Sequence, residues 1–106
     1  EVYFMIELEQ KEWYSKFLSM KDSLIIDVRT EHEFIDKHIK GSLLIDINQP
    51  SQFMDEINNL DKNKNYFIYC KSGARSSTAC KIMNQLGIQN TYNLIGGIDC
   101  WEGDTN

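Results

Sequence analysis

The chain has 106 residues, 42% hydrophobic and 25% charged, with a net charge of −5. That size and balance describe one globular domain over residues 1–106 and exclude a disordered chain. The acidic excess argues against nucleic acid or anionic lipid as partner, and apolar runs such as Val2–Ile6 are far too short to cross a bilayer.

Strand and helix patterns alternate along the sequence. Val2–Leu8 reads as a first strand, and Trp13, Phe17 and Met20 then fall at i, i+4 and i+7, the spacing of an amphipathic helix. Leu24–Val28 is a short apolar run interrupted only by Asp27, as expected of a strand buried on both faces. Thr30 and Glu33 form a capping box that opens a short helix ending before Gly41. Leu43–Ile47 is a third strand. Pro50 and Ser51 open a helix whose Phe53, Ile57 and Leu60 face inward. The polar link Asp61–Asn65 leads into a fourth strand, Tyr66–Cys70. Ala79, Ile82, Met83 and Leu86 mark one face of the next helix, and Gly87 supplies its stop. A fifth strand, Thr91–Ile95, precedes Gly96-Gly97 and a helical turn around Trp101. Strands alternating with helices predict an α/β fold, a parallel sheet covered on both sides.

Cys70, Cys80 and Cys100 are an odd and widely spaced set, with neither a CxxC pair nor histidines at zinc-ligand spacing. A disulfide framework and a metal site are therefore not expected, and a reducing, cytoplasmic setting is. No secretory leader is recognisable; the chain opens on Glu1, which leaves an exported form open. Cys80, bordering the apolar helix face, and Cys100, beside Trp101, read as small apolar side chains.

Cys70 differs. It stands at the carboxyl end of a strand, where ligands bind in such folds, and Lys71-Ser72-Gly73-Ala74-Arg75 must turn the chain into a helix. Gly73 permits backbone conformations that side chains resist. Amide N–H groups turned inward make a nest for an anion, and the helix N-terminus adds positive potential. A thiol centred there loses its proton readily, with Lys71 and Arg75 reinforcing the effect. The residues by themselves describe a reactive, anion-binding cysteine.

Four segments carry a resemblance. LIIDVRTEHEF is similar to a D-V-R-x-x-x-E-F/Y segment, HIKGSLLI to H-I-x-G-A, YCKSGARS to the loop C-[R/K]-[S/T]-G-x-R-S, and LIGGIDCW to a closing G-G-x-x-x-W. In that order they resemble the single-domain rhodanese-like sulfurtransferases over almost the whole chain. Lys37, where glycine is common, and Ser42, where alanine is usual, depart from the pattern outside the loop. The resemblance implies five parallel strands with helices on both faces. It implies that Cys70 takes the outer sulfur of thiosulfate or a similar donor as a persulfide, cradled by residues Lys71 to Arg75. A thiol, cyanide or a sulfur-carrier protein would then accept it, and no metal or organic cofactor is needed.

The charged residues near the loop read as scaffolding. Asp27, ending the second strand, is expected to pair with Arg75, and Arg29 with Glu33 four residues on, although the capping box alone explains Glu33. Arg75 either faces substrate or anchors the loop. Lys71, next to the nucleophile, is the expected thiosulfate contact, and Ser72 a further hydroxyl donor. His32 and His38 read as backbone-bonding residues, and Trp101 as core or pocket rim. Cysteine phosphatases of the cell-cycle type and arsenate reductases share the architecture but place arginine in C-x5-R. Cys70 to Arg75 is C-x4-R, a loop that suits one sulfur atom and crowds a phosphate. The same residues also fit a thiol redox sensor, and the same architecture a non-catalytic interaction module.

Overall fold

The computed structural model describes residues 5–106. Strands β1 (Ile6–Leu8), β2 (Ser23–Asp27), β3 (Leu43–Leu44), β4 (Asn65–Tyr69) and β5 (Asn90–Leu94) form one sheet in the order β1-β5-β4-β2-β3, and every pairing is parallel. Between them lie α1 (Gln10–Ser19), α2 (Glu31–Asp36), α3 (Pro50–Asn58) and α4 (Ala74–Gln85), and a 3₁₀ turn, Gly97–Cys100, follows β5. Among the described residues no helix is long and apolar enough to cross a membrane.

The two-residue period of a strand divides the core. Ile26, Tyr66, Ile68 and Cys70 point to one side, against Phe53 and Ile57 of α3 and Ala79, Cys80 and Met83 of α4. Ile25, Phe67, Tyr69, Tyr92 and Leu94 point to the other, against Trp13 of α1 and Ile98 of the 3₁₀ turn. Trp13 is fully buried, and its indole N–H donates to the Tyr92 carbonyl at 3.0 Å, which satisfies its single polar atom. Helices therefore cover both faces, as the alternating pattern and the resemblance imply.

Two strands are shorter than their apolar runs. Of Val2–Leu8, residues Val2–Phe4 lie outside the described residues, and the strand covers Ile6–Leu8. The run Leu43–Ile47 stays in the ladder only at Leu43–Leu44. Asp46 takes the chain out of it: its carboxylate accepts the Asn48 N–H at 2.8 Å and its carbonyl the Gln49 N–H at 3.2 Å. The Ile45 and Ile47 N–H groups still donate to the Asp27 and Val28 carbonyls, at 2.9 and 3.1 Å, so the run stays bonded beside the end of β2 although the regular ladder stops at Leu44.

The capping box closes on both sides, with Glu33 N–H donating to the Thr30 hydroxyl at 3.3 Å and Thr30 N–H to the Glu33 carboxylate at 3.2 Å. Helix α2 buries none of its residues, so these end bonds and the contacts of Glu33 beyond the helix hold it.

Candidate active site

Strand β4 stops at Tyr69, and Cys70 keeps its register, turned towards the α4 side and 1% exposed. The chain then has three residues in which to reverse onto α4. Gly73 makes the turn at a φ of +116°, which side chains rarely adopt, and stands at the N-cap of the helix. Its N–H donates to Cys70 Sγ at 3.0 Å. From the first turn of α4 the Ser76 hydroxyl reaches the same sulfur at 3.3 Å and the Gly73 carbonyl at 3.1 Å.

The 3₁₀ turn fixes the loop from outside. Ile98 N–H donates to the Cys70 carbonyl and Asp99 N–H to the Lys71 carbonyl, each at 3.0 Å. A trans peptide points its N–H opposite its C=O, so carbonyls held outward leave the Lys71 and Ser72 amides turned inward. Asn93 of β5 adds a donor to the Gly73 carbonyl at 3.3 Å.

Burial pushes the Cys70 thiol up. Hydrogen bonds from the Ser76 hydroxyl, and from the N–H groups of Ser76, Gly73 and Ser72, outweigh it and hold the group below its ordinary value. Ser76→Ala is therefore expected to move the pH midpoint of Cys70 alkylation upward, read from iodoacetamide labelling rates against pH. An unmoved midpoint would assign the lowered value to the amides alone.

The charged residues pair differently from the sequence expectation. Asp27 does not meet Arg75; it forms a buried pair with Arg29, whose Nη2 lies 2.7 Å from its carboxylate and also donates to the Lys37 carbonyl at 2.6 Å. Asp27 and Arg29 are two residues apart on extended chain, hence on the same side of it. Arg29 accordingly does not bridge Glu33. Glu33 instead takes both guanidinium arms of Arg75, at 2.8 and 2.9 Å. Arg75 thus anchors the start of α4 to α2.

The Arg75 hydrogen bonds draw the Glu33 carboxyl down to about 2, against an opposing effect of burial and with help from Thr30. A carboxyl depressed on folding contributes stability that is complete above its ordinary value of 4.5 and is lost as pH falls through about 2. Glu33→Gln is expected to flatten that part of the acid-unfolding profile, measured as denaturant midpoint against pH. An acid limb as steep as the parent's would place the proton uptake elsewhere.

Lys71 is directed to Asp99, its ammonium 3.0 Å from both carboxylate oxygens, and both side chains are exposed. His38 bonds the Phe34 carbonyl through Nδ1 at 2.7 Å, as expected of a backbone-bonding histidine. Trp101 packs edge-on against Trp13 at 5.8 Å between centroids, on the α1 side of the sheet. Cys80 is buried, and burial pushes its thiol up to about 12. Cys100 is exposed rather than packed as a small apolar group, because the 3₁₀ turn buries Gly97 and Ile98 and leaves Asp99 and Cys100 outside.

Sequence reasoning gave no role at the loop to Ser76, Asn93, Gly97 or Asp99. Ser76 was visible as the closing serine of YCKSGARS, and Gly97 as the second glycine of LIGGIDCW. Nothing local in the sequence marks Asp99 as the partner of a lysine 28 residues away.

The profile of the rhodanese-like domain matches residues 10–104. A sulfurtransferase of Allochromatium vinosum is 33% identical over 90% of this chain and 86% of its own length. The thiosulfate sulfurtransferase GlpE of Coxiella burnetii is 25% identical over 82% of this chain and 78% of its own. Among solved structures, a rhodanese-like domain protein from Staphylococcus aureus superposes with a TM-score of 0.79 at 31% identity, covering 94% of this chain and 93% of that one.

Proposed function

Because the chain belongs to the rhodanese-like domain family, we propose that it is a sulfurtransferase working through a persulfide on Cys70. The observation that carries this reading is the convergence of the Gly73 N–H and the Ser76 hydroxyl on one buried, acidified sulfur. With thiosulfate as donor, the Cys70 thiolate attacks the outer sulfur and forms the new S–S bond. The old S–S bond breaks and its electron pair leaves with sulfite. The terminal sulfur then carries the negative charge into the ring of amides from Lys71 to Arg75, donors set in place before the charge arrives.

An acceptor thiol, cyanide or a sulfur-carrier protein next attacks that terminal sulfur and returns Cys70 to the thiolate. Both steps are displacements at sulfur by nucleophiles that are already anionic, so no general base is required. The cycle consumes neither a metal nor an organic cofactor.

Intact-mass analysis tests the reading. Treatment with thiosulfate should add one sulfur per chain, and later cyanide should remove it. A chain that gains no sulfur from thiosulfate or from a hydropersulfide would overturn the proposal.

A further inference from the structure

The three cations that belong to the loop and its supports are each matched by a carboxylate. Arg29 faces Asp27, Arg75 faces Glu33 and Lys71 faces Asp99. The first two pairs hold the frame. The third is the exposed one: Lys71 directly follows Cys70 in the chain, its side chain is 61% exposed, and that of Asp99 is 47% exposed. The pair is also fixed through the backbone, since Asp99 N–H donates to the Lys71 carbonyl at 3.0 Å.

Resting on the sulfurtransferase reading, we propose that Asp99 is a specificity-determining residue that biases Cys70 away from dianionic donors and towards hydropersulfides of thiols, R–S–SH. The amide ring accommodates one unit of negative charge, that of the terminal sulfur. Thiosulfate brings a second, on its sulfonate end, which must lie outside the ring, where the Lys71 ammonium is already neutralised. The net charge of −5 adds long-range repulsion for a dianion. A hydropersulfide places no sulfonate there.

The hydropersulfide reaction balances without an outside oxidant. The Cys70 thiolate attacks the terminal sulfur of R–S–SH, and the Sγ–S bond forms as the inner S–S bond breaks. The electron pair leaves on the sulfur of R, which takes the proton and departs as R–SH. The transferred sulfur stays on Cys70 as the persulfide anion.

The test compares thiosulfate with cysteine hydropersulfide, whose R group carries no net charge, in the parent and in Asp99→Asn. The measured quantity is the ratio of kcat/KM for thiosulfate to that for the hydropersulfide. Asp99→Asn should raise this ratio about three- to ten-fold, the scale of one released charge near the surface. Adding Lys71→Ala to Asp99→Asn should cancel the rise. An unchanged ratio, or a rise that survives Lys71→Ala, overturns the assignment of Asp99. Failure of the parent to take sulfur from either donor is a different result and removes the sulfurtransferase reading beneath it.

Discussion

Cys70→Ser is expected to lower sulfur transfer from thiosulfate to cyanide by at least about 10³-fold, while Cys100→Ser and Cys80→Ala keep most of it. The three thiols differ in what surrounds them. Cys100 is exposed and outside the loop. Cys80 is buried with its thiol pushed up to about 12, so it stays protonated and weakly nucleophilic at neutral pH. Cys70 alone sits under converging donors that favour its anion. Serine is close in size and accepts the same hydrogen bonds, so Cys70→Ser should fold and lose chemistry without losing structure. Cys80→Ala will lower stability, because it removes a buried sulfur from the α4 core, and its activity must be read per folded protein. Steady-state assays with circular dichroism on each variant check this. Loss of activity in Cys100→Ser, or its retention in Cys70→Ser, would sink the assignment of Cys70.

The strands, the helices and the turn from Cys70 into α4 were legible in the sequence because each is written in local terms. Leu24–Val28 and Tyr66–Cys70 are apolar runs, Thr30 and Glu33 are a capping box, and Gly73 opens α4. The ion pairs were not legible, for two physical reasons. Asp27 and Arg29 share a side of extended chain, so the nearer partner wins over Arg75, a choice that helical i, i+4 reasoning does not weigh. The Glu33–Arg75 and Lys71–Asp99 pairs span 42 and 28 residues and exist only because the sheet brings α2, the loop and the 3₁₀ turn together. The shortened β3 shows the same limit, since Leu43–Ile47 is a strand by composition and the regular ladder stops at Leu44, just ahead of the turn at Asp46.

Gly97→Ala is expected to cost about 2–4 kcal/mol of stability and to disable the loop at the same time. Gly97 has a φ of +59°, and an added Cβ would lie 2.4 Å from the Lys71 carbonyl oxygen and 2.6 Å from that of Cys70. Those are the carbonyls that the 3₁₀ turn holds, so relief of the clash must break the Ile98 and Asp99 hydrogen bonds that keep the neighbouring amides turned inward. The obstacle is backbone on both sides, which cannot swing away. Gly96→Ala provides the comparison: its φ is +80°, and its new Cβ would meet Cys100 Sγ at 2.7 Å and Cys100 Cβ at 3.0 Å. Cys100 is exposed and its Sγ can change rotamer, which leaves only the tight contact with its Cβ, so the cost there should be about 1–2 kcal/mol, below that of Gly97→Ala. Denaturant unfolding ranks the two variants. Alkylation of Cys70 adds the functional half, since its pH midpoint should rise in Gly97→Ala and stay near the parent's in Gly96→Ala. Equal effects from the two glycines would mean that left-handed strain sets the cost, and that the 3₁₀ turn does not position the loop.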